Sequence, residues 1–149
     1  MQTWGKNLLL NPSFEIDQAK GLPQSWTIMS PEEGKPAGVV SLSKSERHQG
    51  DFSIQITNSG ESDVTGIFQE INLDQKEAED IFISGWSKSR TNTALAALSP
   101  DYSIYVDIWN QDGSNTWGEV AEFTQEDSGD WIYSSHVIRY AQVTSSLML

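Results

Sequence analysis

The chain has 149 residues, 37% of them hydrophobic, with no cysteine and a formal net charge of −12. This length suits one domain, residues 1–149, with a sizeable core, and six Trp and five Phe are too many for a disordered tail. The missing cysteines exclude disulfides, zinc-thiolate sites and Cys nucleophiles; the acidity makes nucleic acid and anionic membranes poor partners; and no apolar run approaches the roughly 18 residues that membrane insertion needs.

From the N-terminus, Met1-Gln2-Thr3-Trp4-Gly5-Lys6 does not read as a signal peptide. A chain cut from or appended to a larger protein, or one whose leader has been removed, is favoured over a cytosolic one. Strand-like runs then follow in order: Val39–Leu42, Phe52–Thr57, Gly66–Leu73, Asp80–Ser87, Ser103–Asn110, Thr116–Phe123 and Trp131–Tyr140. Turn signals separate them at Gly34-Lys35-Pro36, Gln49-Gly50-Asp51, Asn58-Ser59-Gly60 and Ser128-Gly129-Asp130. Leu73–Glu79 reads as a turn, and Thr91–Pro100 as a long loop with room for one short helix. Short strands at fairly regular spacing predict an all-β antiparallel sandwich.

One hairpin carries the strongest functional signal. Side chains alternate across a strand, so Ile104, Val106 and Ile108 point one way and Tyr105, Asp107 and Trp109 the other. Asp112-Gly113 supplies the turn, and Trp117 and Glu119 follow two residues apart on the return strand. Flat aromatic faces and hydrogen-bond-accepting carboxylates on one surface make a sugar-binding platform. A purely structural role weighs equally for most of these aromatics, because Trp and Tyr are good strand formers. Asp107 and Glu119 facing across the hairpin also invite a glycosidase reading. No cleft signal accompanies the pair, and carboxylates on a strand face more often bind hydroxyls or water, so an enzyme is not expected. The two histidines, His48 and His136, lack metal-ligand spacing.

Four ordered segments resemble a known family. They are Asn7-Leu8-Leu9-Leu10-Asn11-Pro12-Ser13-Phe14-Glu15, Gly21-Leu22-Pro23-Gln24-Ser25-Trp26, His48-Gln49-Gly50-Asp51-Phe52-Ser53 and Gln69-Glu70-Ile71-Asn72-Leu73. Together they are similar to the galactose-binding-like jelly roll of carbohydrate-binding modules of the xylan- and glucan-binding kind, attached to secreted glycoside hydrolases. Ser84–Lys88 and Asp130-Trp131 look like later strands of the same module. Two departures stand out. Ser13 occupies a position that is usually Gly, which requires a negative φ or tolerable strain there. The ending Ser145–Leu149 does not show the usual last strand, so the sandwich is expected to be short by one, unless Val137–Val143 is the last strand of a smaller one.

The resemblance implies non-catalytic binding of a polysaccharide or glycan, and the alternation of the hairpin assigns Tyr105, Trp109 and Trp117 to stacking on sugar rings. Asp107, Glu119, Lys88 and Arg90 would bond to hydroxyls. Trp86 is placed with them, although it shares a strand face with Phe82; Phe14, Trp26, Phe52 and Phe68 are assigned to the core. It also implies a structural calcium held by Ser13, Glu15, Glu46, Gln49 and Asp51; alternatively, Glu15 hydrogen-bonds only to the loop that follows. A structural or protein-interaction sandwich of a larger secreted protein is the competing reading of the whole.

Overall fold

The computed structural model describes residues 5–15, 22–29, 38–58, 65–73, 75–90, 102–123, 129–140 and 142–149. The loop expected over Thr91–Pro100 and the turn at Gly34-Lys35-Pro36 lie outside these residues, as do Ser59, Gly60 and Ser128 of two other turns. The described secondary structure is all β: β1 (Thr27–Met29), β2 (Val39–Ser43), β3 (Ser53–Thr57), β4 (Gly66–Phe68), β5 (Glu70–Asn72), β6 (Ile81–Ser87), β7 (Ser103–Asn110), β8 (Asn115–Glu122), β9 (Ile132–Ile138) and β10 (Thr144–Met148). Every pairing is antiparallel.

The chain forms two compact units, Leu8–Gln69 and Glu70–Leu149 with Met1–Asn7. In the first, β1 pairs with β4 and β2 with β3. The Asn11–Phe14 turn closes when the Phe14 N–H donates to the Asn11 carbonyl at 3.1 Å. The Trp26 indole N–H donates to the same carbonyl at 3.0 Å, and the Phe14 and Trp26 rings meet at 5.2 Å between centroids. Positive φ falls on Asn11 (50°) and Phe14 (63°), not on Ser13, which is why serine can stand at the family's glycine position. Gln69 is buried, and its amide pairs with both backbone groups of Leu10: Leu10 N–H to Oε1 at 3.1 Å and Nε2 to the Leu10 carbonyl at 2.6 Å. The single strand expected over residues 66–73 is broken at this residue.

The second unit is a sandwich. A four-stranded sheet ordered β5-β10-β7-β8 faces the β6-β9 pair. Ile81, Ile83 and Ile138 from one sheet and Val106, Ile108, Ala121 and Leu147 from the other make one buried cluster. Ile104 Cδ1 stands 3.0 Å from where a Cβ on Gly85 would lie, so β6 approaches β7 closely there and a larger residue would need the Ile104 side chain to shift. The core is aliphatic: Phe14, Trp26, Phe52 and Phe68, assigned to it by the sequence, are only half-buried. The ending holds a strand that the sequence runs did not include: Thr144–Met148 is β10, inserted between β5 and β7 with Leu147 buried.

Candidate functional site

The β7-β8 hairpin turns as its chemistry predicts. Gly113 has φ +85°, its N–H donates to the Asn110 carbonyl at 3.1 Å, and Asp112 Oδ1 accepts from the Ser114 N–H at 2.9 Å. Asp112 is held below its ordinary pKa, first by the Ser114 hydroxyl and then by the Ser114 backbone. Directly opposed residues of antiparallel strands share a face. The register therefore lays Asn72, Ser146, Trp109 and Asn115 in one row across the sheet, and Glu70, Met148 and Asp107 in the next. Tyr105 and Trp117 belong to the same face. Alternate residues Val106, Ile108 and Leu147 turn to the core.

This outer face is open. Trp117 is 57% exposed and Tyr105 48% exposed. Trp109 is half-buried and meets Trp117 edge-on, with centroids 5.3 Å apart and planes at 84°. The pair offers a corner, one ring a floor and the other a wall. Asp107 Oδ1 accepts the Gly118 N–H at 3.2 Å. Partial burial, then the neighbouring Asp107 carboxylate, raise the Tyr105 phenol above its ordinary pKa, so it stays a neutral donor and acceptor. Behind the face, Ser145 is an extra residue in β10, and its hydroxyl donates to the Trp109 carbonyl at 2.8 Å.

Glu119 does not belong to this surface. The register passes from Val106↔Glu119 to Ile108↔Thr116, so Trp117 and Gly118 together oppose Asp107. This is a β-bulge, built on Gly118 at φ +79°. The extra residue returns Glu119 to the side of Val106, where its Oε2 lies 3.1 Å from His136 Nε2 of β9. Trp86, Lys88 and Arg90 are also displaced from the predicted platform. Trp86 lies on β6 of the other sheet, opposite Tyr133 of β9, and Lys88 and Arg90 follow the end of β6. The sequence reading missed Glu70, Asn72, Asn115, Ser146 and Met148 on the outer face, because only strand order brings them there. An isolated Gly within a strand pattern is a bulge signal, and Gly118 could have exposed the error over Glu119.

In the other unit, the Glu15 carboxylate caps a loop. It accepts the Asp51 N–H at 3.1 and 2.9 Å and the Phe52 N–H at 3.4 Å. A Cβ on Gly50 would lie 2.0 Å from Glu15 Oε1, and Gly50 has φ +70°. Calcium takes six to eight oxygens. Among the described residues no three His, Cys, Asp or Glu side chains gather to hold a metal ion, and both Glu15 oxygens face N–H donors. Glu15→Ala is expected to cost about 1 kcal/mol, for bonds to a partly exposed charged acceptor. Thermal melts in calcium and in chelator should show the same loss; a loss confined to calcium would make Glu15 a cation ligand.

The fold has a counterpart among solved structures. The chain is similar to the CBM22-1 xylan-binding domain of Paenibacillus barcinonensis Xyn10C, with a TM-score of 0.56 and 21% identity over 99% of this chain and 85% of that one. No protein-family model and no curated protein matches the sequence. No helix among the described residues is long and apolar enough to cross a membrane.

Proposed function

We propose that the chain is a non-catalytic module that binds a neutral polysaccharide of the xylan or glucan kind through the outer face of the β5-β10-β7-β8 sheet, outside the cell. The observation that carries this reading is the exposed Tyr105–Asp107–Trp109–Trp117 group on a sheet whose fold is shared with a xylan-binding domain. Trp117 and Trp109 stack on sugar rings through C–H contacts with their faces. Asp107, Asn72 and Asn115 exchange hydrogen bonds with hydroxyls. Those bonds replace good bonds to water, so affinity is modest.

Hydrolysis is not part of the proposal. A glycosidase needs two carboxylates flanking one bond, and Asp107 and Glu119 sit on opposite sides of their sheet. The same separation makes a test. Calorimetric titration with xylohexaose should show binding weakened about tenfold by Asp107→Asn, the scale of one lost hydrogen bond to a charged group. Glu119→Gln should leave the affinity unchanged. Equal losses from both variants would place sugar elsewhere, and no binding by the wild type to xylan or glucan oligosaccharides would favour a structural module.

A further inference from the structure

The second unit carries another aromatic surface. On β6 and β9 the register pairs Phe82 with Val137, Ser84 with Ser135 and Trp86 with Tyr133. The alternate residues Ile81 and Ile83 are in the core, and Gly85 abuts Ile104 of β7. The Phe82–Trp86 face therefore points away from the four-stranded sheet, on the other side of the sandwich from Trp109 and Trp117. Trp86 is 49% exposed and Tyr133 47% exposed. Their rings lie 5.2 Å apart between centroids, inclined at 52°.

The chemistry of this face selects its occupant. In a chain of net charge −12, the paired residues Phe82, Ser84, Trp86, Tyr133, Ser135 and Val137 carry no charge. Two inclined rings bordered by the Ser84 and Ser135 hydroxyls suit a ligand with apolar C–H faces and neutral hydroxyl edges. A basic protein would be drawn to acidic surfaces instead, and a polyanion would be repelled by the whole chain. The inclination suits a twisted chain better than a flat one, since successive sugars then meet rings of different orientation.

We propose that Trp86 and Tyr133 form a second binding site for a neutral polysaccharide, so that one molecule holds two polysaccharide segments at once. This rests on the reading that the Trp109–Trp117 face binds such a chain. The two faces look in opposite directions, so they engage separate strands. The consequence is cross-linking in solution and avidity on an insoluble polymer, where the second contact becomes intramolecular.

Calorimetry with xylohexaose and light scattering with soluble xylan test the proposal on the full chain. The wild type is expected to bind two oligosaccharides and to raise the scattering of xylan. Trp86→Ala and Trp117→Ala should each reduce the stoichiometry to one and abolish the rise. Near-UV circular dichroism checks folding, and Tyr133→Ser serves if Trp86→Ala does not fold. A wild-type stoichiometry of one, untouched by Trp86→Ala and Tyr133→Ser but lost in Trp117→Ala, overturns the second site and leaves the first. One site lost only with Trp86 overturns the first face and the bivalence. No binding to either oligomeric xylan or glucan overturns both readings. Sugar-independent self-association that Trp86→Ala removes, seen by sedimentation, overturns the second site in favour of a second copy of the chain.

Discussion

Replacing Trp117 with alanine is expected to weaken binding of xylohexaose to the outer face by about five- to 150-fold. The range corresponds to ~1–3 kcal/mol for one aromatic side chain stacked on a flat ring, taken from aromatic–base stacking. Trp117 is the better choice of the two tryptophans for a clean result. It is 57% exposed, so its loss removes little core packing, whereas Trp109 is half-buried. Trp109→Ala should lose as much binding, because it removes the wall against which Trp117 is set edge-on. It should also lower the melting temperature, which Trp117→Ala should not. Microcalorimetry of binding and of unfolding on the same preparations separates the two effects. Undiminished affinity in both variants would end the platform reading.

What the sequence revealed and what it hid follow from the same alternation. Val106 and Ile108 are fully buried while Tyr105 is exposed, as a period of two requires. Ile81 and Ile83 against Trp86 repeat the pattern on β6. Alternation fails where the backbone inserts a residue. The bulge at Gly118 moves Glu119 to the other face, and no count of residues along β8 shows this unless the glycine is taken as a break in the period. Strand order is a second hidden quantity. Trp86 and Trp109 look like parts of one surface when both are simply outward-facing aromatics, but β6 pairs with β9 while β7 pairs with β8 and β10. The partner of an exposed aromatic is set by long-range pairing. Tyr133 meets Trp86 from 47 positions away along the sequence, as the register Trp86↔Tyr133 fixes. Glu15 shows a third limit. Its motif was legible, yet a carboxylate beside a loop serves as a cation ligand or as an acceptor of N–H bonds, and only geometry reveals the Asp51 and Phe52 donors.

Deleting residues 144–149 is expected to abolish cooperative melting of the unit that contains the proposed binding face. The sequence there gives little warning. Thr144-Ser145-Ser146-Leu147-Met148-Leu149 has two consecutive serines and no clean alternation, because the Ser145 bulge interrupts the period. Yet β10 is an inner strand. It pairs with β5 on one side and β7 on the other, Leu147 is 2% exposed and Thr144 fully buried, and the Leu73 N–H bonds to the Ser145 carbonyl at 2.8 Å. Removing it strips the pairing from two strands at once and opens the core between the sheets. For scale, Leu147→Ala alone should cost about 2–5 kcal/mol, against a typical domain stability of about 5–15 kcal/mol. That variant should still fold and bind sugar, with a lowered denaturation midpoint. Met148→Ser, on the outer face opposite Asp107, should change stability by only about 1 kcal/mol, the scale of a partly exposed apolar side chain. Urea unfolding followed by tryptophan fluorescence ranks the three. A deletion variant with the wild-type midpoint would mean that β5 and β7 close the sheet without β10, and the row Asn72–Ser146–Trp109–Asn115 would then have to be redrawn. If the ranking holds, the platform depends on a strand that contributes chiefly packing and pairing, with Trp109 positioned by the Ser145 bond behind it.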